Sequence, residues 1–128
     1  MRPTIYLAVA ILGLAISSAS AQEMGPAKVG QSSLGPVLTD SQGMTLYVFT
    51  RDMPGFSNCN DQCAAGSPPL LASADARASG DWSIITRDDG KKQWAYKGKP
   101  LYMSSKDTNP GDTAGEGDSN GKWHVAKP

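Results

Sequence analysis

The sequence predicts an all-β fold: a small single domain of short antiparallel strands and hairpins, built from two related halves, with a short helical turn at the cysteines. Two segments of the 128-residue chain echo each other without gaps, GMTLYVFTRD (Gly43 to Asp52) and GKPLYMSSKD (Gly98 to Asp107). They share Gly43/Gly98, Leu46/Leu101, Tyr47/Tyr102 and Asp52/Asp107, with hydroxyl residues at Thr50/Ser105 and basic residues at Arg51/Lys106. Each reads as a short strand leaving through an acidic turn, so the echo marks one β-unit used twice. The 14 glycines and 9 prolines divide the chain into short pieces. Apolar residues beyond the N-terminus come in brief alternations bounded by turn formers, the signature of short strands.

Fold reasoning begins after the N-terminal segment. Arg2 followed by the apolar run Ile5 to Ile16 and the small-residue triplet Ala19-Ser20-Ala21 is the pattern of a secretory signal peptide cleaved after Ala21. The run is too short to span a bilayer, and the mature chain is expected to carry no membrane span. No cysteine lies near the expected cut, so no lipid anchor is expected either. The expected division is 1–21 signal peptide, 22–35 flexible leader and 36–128 β domain, which is one small domain by length. The 12 basic and 12 acidic residues balance. Removing Arg2 with the signal peptide leaves a near-neutral protein and no electrostatic case for nucleic acid. A periplasmic or secreted location follows from the export signal, and in that oxidising setting Cys59 and Cys63 are expected to form a disulfide. Their tiny loop predicts local stapling.

Residues 22–35 are polar and broken by Gly25, Pro26, Gly30 and Gly35, hence the leader, tightening into a strand only near its end. Val37-Leu38-Thr39, the turn Asp40-Ser41-Gln42-Gly43 and Met44 to Thr50 form a hairpin. In its second strand Leu46 and Val48 face one side and Tyr47 and Phe49 the other, so both sides are expected to be covered. Met53-Pro54-Gly55 turns, and Asn58 to Ala65 is expected to form a helical turn carrying both cysteines, capped by Asn58 or Asn60. Pro68-Pro69-Leu70-Leu71 is extended, since each proline disfavours helix before it. Ala72 to Gly80 is a surface loop. Trp82 to Thr86, the turn Asp88-Asp89-Gly90 and Gln93 to Tyr96 form a second hairpin. Lys97 to Pro100 turns into Leu101–Ser104, Asp107 to Gly121 is a long acidic loop, and Trp123-His124-Val125 closes the domain. The expected core is Leu38, Leu46, Val48, Phe49, Leu70, Trp82, Ile84, Trp94, Leu101 and Trp123.

Tyr47, Phe49 and Asp52, followed by Cys59-x-x-x-Cys63-Ala64 and Pro68-Pro69-Leu70, resemble a family of bacterial secreted repeats. Its members are described as predicted lipoproteins with a Tyr-x-(Phe/Trp/Tyr)-x-x-Asp motif. A second copy runs through Gly98 to Tyr102, Asp107, Pro110-Gly111-Asp112 and Trp123, and the resemblance covers roughly Val29 to Val125. Three departures stand out. The lipid-bearing cysteine is missing, so the lipoprotein label does not transfer. Ser67 stands where an aromatic residue usually precedes the proline pair, and Ser104 where the second motif expects one. The resemblance brings no established activity with it.

Tyr47, Phe49, Asp52, Tyr102 and Asp107 are the motif residues and the candidate ligand surface. Their structural reading is simpler: an aspartate past a strand end fixes the exit turn, and a buried tyrosine needs a hydroxyl partner, which the other copy's aspartate supplies. A reactive dithiol would favour Cys-x-x-Cys at a helix start, so a structural Cys59–Cys63 bridge is the better reading. His124 is the only histidine, too few ligands for a zinc site with the cysteines. Copper held by Met44, Met53, Met103 and the cysteines is chemically allowed. The oxygen-rich loop Asp107, Asp112, Glu116, Asp118, Asn120 lacks calcium-loop spacing. No nucleophile motif or acid/base pair appears. The sequence therefore points to a non-enzymatic secreted or periplasmic binding or structural protein, with no cofactor and no assigned metal site, whose ligand is unspecified and whose partner is open, a cell-envelope component being one candidate. The alternative is an envelope thiol-redox or copper-handling protein using Cys59 and Cys63.

Overall fold

The computed structural model describes residues 3–4 and 25–128. The expected cleavage site, nearly all of the expected signal peptide and residues 22–24 of the leader lie outside the described residues. The architecture is all-β, with strands β1 (Lys28–Ser32), β2 (Gly35–Thr39), β3 (Tyr47–Phe49), β4 (Trp82–Thr86), β5 (Lys92–Tyr96), β6 (Lys99–Pro100) and β7 (Trp123–Val125). Two helical turns interrupt them, α1 (Gln62–Gly66) and α2 (Asp118–Gly121). Every strand pairing is antiparallel.

The first hairpin corrects the expected leader. Lys28 to Ser32 is strand β1, paired along its whole length with β2 from Lys28↔Thr39 to Ser32↔Gly35. The glycines that suggested flexibility serve the pairing. Gly35 takes the left-handed φ of 89° that a tight turn requires. A Cβ at Gly30 would stand 2.7 Å from the Thr39 methyl group across the strand. Ser32 reinforces the turn, its Oγ donating to the Gly35 carbonyl at 2.8 Å and accepting from the Leu34 amide.

The next turn follows side-chain chemistry. Asp40 Oδ1 accepts from the Gln42 and Met44 amides, both at 2.9 Å, and returns the chain from β2 toward β3. β3 is shorter than the expected Met44–Thr50, but its two faces divide as alternation requires. Leu46 and Val48 join a cluster with Leu38, Trp82, Leu101 and Ala126, while Tyr47 and Phe49 join Val37, Tyr102, Trp123 and Val125. The hairpin β4–β5 turns through Asp88-Asp89-Gly90, with Gly90 at φ 86° and Asp89 Oδ1 accepting from the Lys91 amide.

At the cysteines the outcome differs from expectation. Cys59 precedes the helical turn and only Cys63 lies in α1. The residue before α1 is Asp61, at φ 52°, and no side chain caps the turn. Asn58 is spent elsewhere, its amide nitrogen donating to the Arg51 carbonyl. In the long acidic loop, α2 occupies a position related to α1, preceded by Gly117 at φ 80°.

The two halves are not side-by-side copies. They exchange their final strands. In the first half Leu38 N–H donates to Ala126 O, Ala126 N–H to Leu46 O and Leu46 N–H to Leu38 O, at 2.8–2.9 Å. In the second half Trp94 N–H donates to Leu70 O, Leu70 N–H to Leu101 O and Leu101 N–H to Trp94 O, at 2.9–3.0 Å. Leu70 ends the first half yet completes the ring of the second, and Ala126 ends the second half yet completes the ring of the first. The bridges Tyr47↔Val125 and Tyr102↔Pro69 repeat the exchange one residue along.

Each half is thus one strand short without the other. A protease site introduced after Arg77, in the largely exposed connection between the halves, tests this directly. The cut fragments are expected to co-elute in native size-exclusion chromatography and to separate only in denaturant. Separation under native conditions would refute the exchange.

Candidate functional site

The motif residues converge at the centre of the molecule. Tyr47 and Tyr102 pair through their backbones, Tyr47 N–H to Tyr102 O at 2.7 Å and Tyr102 N–H to Tyr47 O at 3.0 Å. Because a residue meets its own equivalent, a local two-fold axis passes between them. The side chains obey the same axis. Tyr47 Oη donates to Asp107 Oδ2 and Tyr102 Oη to Asp52 Oδ2, each at 2.7 Å. Each aspartate also closes its own exit turn: Asp52 N–H reaches Phe49 O at 3.0 Å and Asp107 N–H reaches Ser104 O at 3.1 Å. The other carboxylate oxygens accept from the Asn58 and Ala114 amides at 2.7 and 2.8 Å.

Both tyrosines are buried, with 1% and 0% of their surface exposed, and neither lines either of the two grooves on the surface. Burial first, then the hydrogen bond to Asp107, pushes the Tyr47 phenol well above its ordinary range. Tyr102 moves the same way through burial and the Asp52 carboxylate, with a hydrogen bond from Ser57 offsetting only part. Burial also raises Asp52 above the usual carboxylate value, against the opposing pull of the Asn58 amide, the Tyr102 hydroxyl and the Arg87 charge. Phe49 stacks on Trp123 with centroids 4.4 Å apart, and Tyr102 meets the edge of the same indole at 5.0 Å.

Sequence reasoning missed a polar network beneath this centre. Arg87 is 4% exposed and Gln93 0%. The guanidinium donates to Ser57 Oγ (3.0 Å), Gln93 Oε1 (2.8 Å), Cys59 O (2.6 Å) and Asn60 Oδ1 (3.2 Å). Gln93 Nε2 in turn donates to Leu101 O at 2.8 Å. Ser57 lies 2.6 Å from Tyr102 Oη. Tyr102 gives its only proton to Asp52, so Ser57 is the donor in that contact. A chain of hydrogen bonds therefore links Arg87 through Ser57 and Tyr102 to Asp52, and compensates the buried charge. Arg87 and Gln93 flank the turn of the β4–β5 hairpin, and no local pattern marks them as buried.

Cys59 and Cys63 are joined in a disulfide, Cys59 fully buried and Cys63 partly so. Among the described residues no three His, Cys, Asp or Glu side chains come together as metal ligands. His124 pairs with Glu116, Nδ1 to Oε2 at 2.7 Å.

Two grooves stand out on the surface of the described residues. One, of about 430 Å³, lies across the local axis. Its lining includes equivalent positions of the two halves: Arg51 and Lys106, Lys122 and Gly66, and Trp123 and Ser67. The other, of about 620 Å³, runs between β3–β7 and the β5–β6 turn and includes Asp52, Tyr96, Lys97 and Lys99. Phe49 lines both.

The paired Tyr–Asp contacts make two predictions. Tyr102→Phe strands Ser57 and an Asp52 oxygen, and is expected to cost about 1.5–3 kcal/mol in urea unfolding. A double-mutant cycle with Asp52→Asn should show coupling above about 0.5 kcal/mol, and purely additive losses would sink the pairing. The pH dependence follows from the raised phenol pKa values. The folded state keeps protons that the unfolded chain loses near about pH 10. This stability is fully present below that value and is lost as pH rises beyond it. Thermal unfolding followed between pH 9 and 12 should show the decline, and Tyr47→Phe or Tyr102→Phe should flatten it.

Comparison with known proteins agrees with the internal duplication. The profile of a family described as a secreted repeat of unknown function matches twice, at residues 28–70 and 83–127. Each match ends on the strand that is exchanged. No curated protein and no solved structure matches the chain. The two matches cover most of the sequence, and the protein belongs to this family of secreted repeats.

Proposed function

We propose that the protein is a non-enzymatic periplasmic or secreted module, exported by a signal peptide cleaved after Ala21, that works by binding or by structural support. The observation that carries this reading is the use of the motif side chains. Tyr47 donates to Asp107 and Tyr102 to Asp52 across the local axis, and the same four side chains also bond Ser57 and the backbone amides of Gly115, Asn58 and Ala114. Phenols held far above neutral pH by burial and carboxylate neighbours are poor proton shuttles. The disulfide supports the same reading, because Cys59 is buried and its carbonyl anchors the Arg87 guanidinium. A thiol-redox role would favour a sulfur open to attack, a weaker match to this bridge.

The test uses protein exported to the periplasm and purified without reductant. Its chain is expected to begin at Gln22, to show no titratable thiol while folded, and to leave disulfide substrates unreduced in the presence of a dithiol. Catalysed exchange would overturn the reading. Replacing both cysteines by alanine should lower stability by about 2 kcal/mol, the loop-entropy value for so short a closure, while the fold persists.

A further inference from the structure

We propose that the groove on the local two-fold axis is a binding site for an acidic saccharide, a pyranose unit bearing a carboxylate; this names a ligand for the binding module proposed above and rests on that reading. The groove includes a place where the two halves differ. In the first half Phe49 stacks on Trp123 at the groove wall. The equivalent positions in the second half are Ser104 and Ser67, of which Ser67 lines the groove. Equivalence here is fixed by the backbone: Thr50 N–H donates to Lys122 O at 2.8 Å, and Ser105 N–H donates to Gly66 O at 2.9 Å. Half-buried Phe49 is the aromatic ring this groove exposes, with Trp123 only 5% exposed behind it, and Ser67 and Ser105 supply hydroxyls to the lining.

That combination suits a sugar ring, which presents a C–H face to an aromatic surface and hydroxyls at its rim. Ser67, Ser105 and Gln62 are among the polar lining residues. Their groups both donate and accept, as sugar hydroxyls require. A fatty acyl chain would leave them unpaired, at a cost for each group desolvated. An inorganic anion alone would leave the Phe49 ring unused. The volume of about 430 Å³ falls within the roughly 300–1,000 Å³ of small-molecule sites.

Charge selects the acidic sugar. Arg51 and Lys106, equivalent residues of the two halves, both line the groove, as does Lys122, whose carbonyl accepts from the Thr50 amide next to Arg51. Asp118 is the one acidic residue lining the groove, and it is already paired with Lys106 at 2.9 Å. Among the described residues Arg51 and Lys122 form no salt bridge. A carboxylate entering the groove thus meets two available cations, of which Arg51 can bind it in two-point fashion.

The experiment titrates the folded, isotope-labelled full-length secreted protein with digalacturonate, its neutral counterpart galactobiose, and inorganic phosphate, following backbone amide signals. Digalacturonate is expected to shift Ser67, Ser105 and Lys122. The neutral sugar and phosphate should each bind at least about tenfold more weakly. Arg51→Ala should weaken digalacturonate binding by about tenfold, whereas Lys99→Ala, in the other groove, should leave it unchanged. The proposal is overturned by no shift up to about 10 mM, by shifts confined to the other groove, by phosphate binding equally well, or by an Arg51→Ala variant of unaltered affinity. The recovered sugar separates the two claims. Intact sugar without binding removes only the ligand assignment, while cleaved sugar removes the non-enzymatic reading and leaves the site in place.

Discussion

The reciprocal pairing of Tyr47 with Tyr102 is the interaction on which the rest of the structure depends. Two backbone hydrogen bonds and two buried phenol–carboxylate bonds join equivalent residues of the two halves. Each tyrosine reaches the aspartate at the other half's strand exit, so neither half can form its exit turn and satisfy its own tyrosine independently. Hydrogen bonds to carboxylates are stronger than neutral ones, and burial makes their loss expensive. The strand exchange follows the same logic. Once the two motif strands lie antiparallel about an axis, the chain beyond each is directed into the partner half's sheet, where Leu70 and Ala126 close their rings.

The aromatic stack at β3 is one place where the two halves differ. Phe49 and Trp123 form a stacked pair, and the equivalent Ser104 and Ser67 do not. The long second-half loop fills the Ser104 side: a Cβ on Gly115 would stand 2.9 Å from Ser104 Cβ and 3.2 Å from Tyr47 Cε2. Gly115 also donates its amide to Tyr47 Oη at 3.3 Å. Close backbone approach here leaves no room for a second aromatic. The loop therefore supplies to Tyr47 the contact that Ser57 supplies to Tyr102, with a backbone amide in place of a hydroxyl.

Much of the fold was legible because its signals are local. Asp40, Asp89 and the motif aspartates announce turns through side-chain capture of nearby amides. Alternation in Leu46-Tyr47-Val48-Phe49 correctly assigned alternate residues to two packing faces, because side-chain period in a strand does not depend on its partner. Leu38, Leu46, Trp82, Leu101 and Trp123 are buried as expected, whereas Val48, Phe49, Leu70, Ile84 and Trp94 are only partly so. The misreadings have physical causes. Glycines mark flexibility and tight hairpins alike, which hid β1. The burial of Arg87 and Gln93 went unread, because burial of a polar group depends on partners from Ser57, Cys59, Asn60 and Leu101, supplied by other segments of the chain.

What the sequence determined by itself was the duplication, the all-β class, the turn positions and the family. Those depend on side-chain type and short-range spacing. What only the tertiary structure decided was which half each strand belongs to, and which segments of the two halves line a common groove. Backbone hydrogen bonds carry no residue code, so nothing in Pro69-Leu70 or Val125-Ala126 names its partner strand. The Tyr–Asp lock makes that choice in three dimensions, by bringing equivalent residues of the two copies face to face.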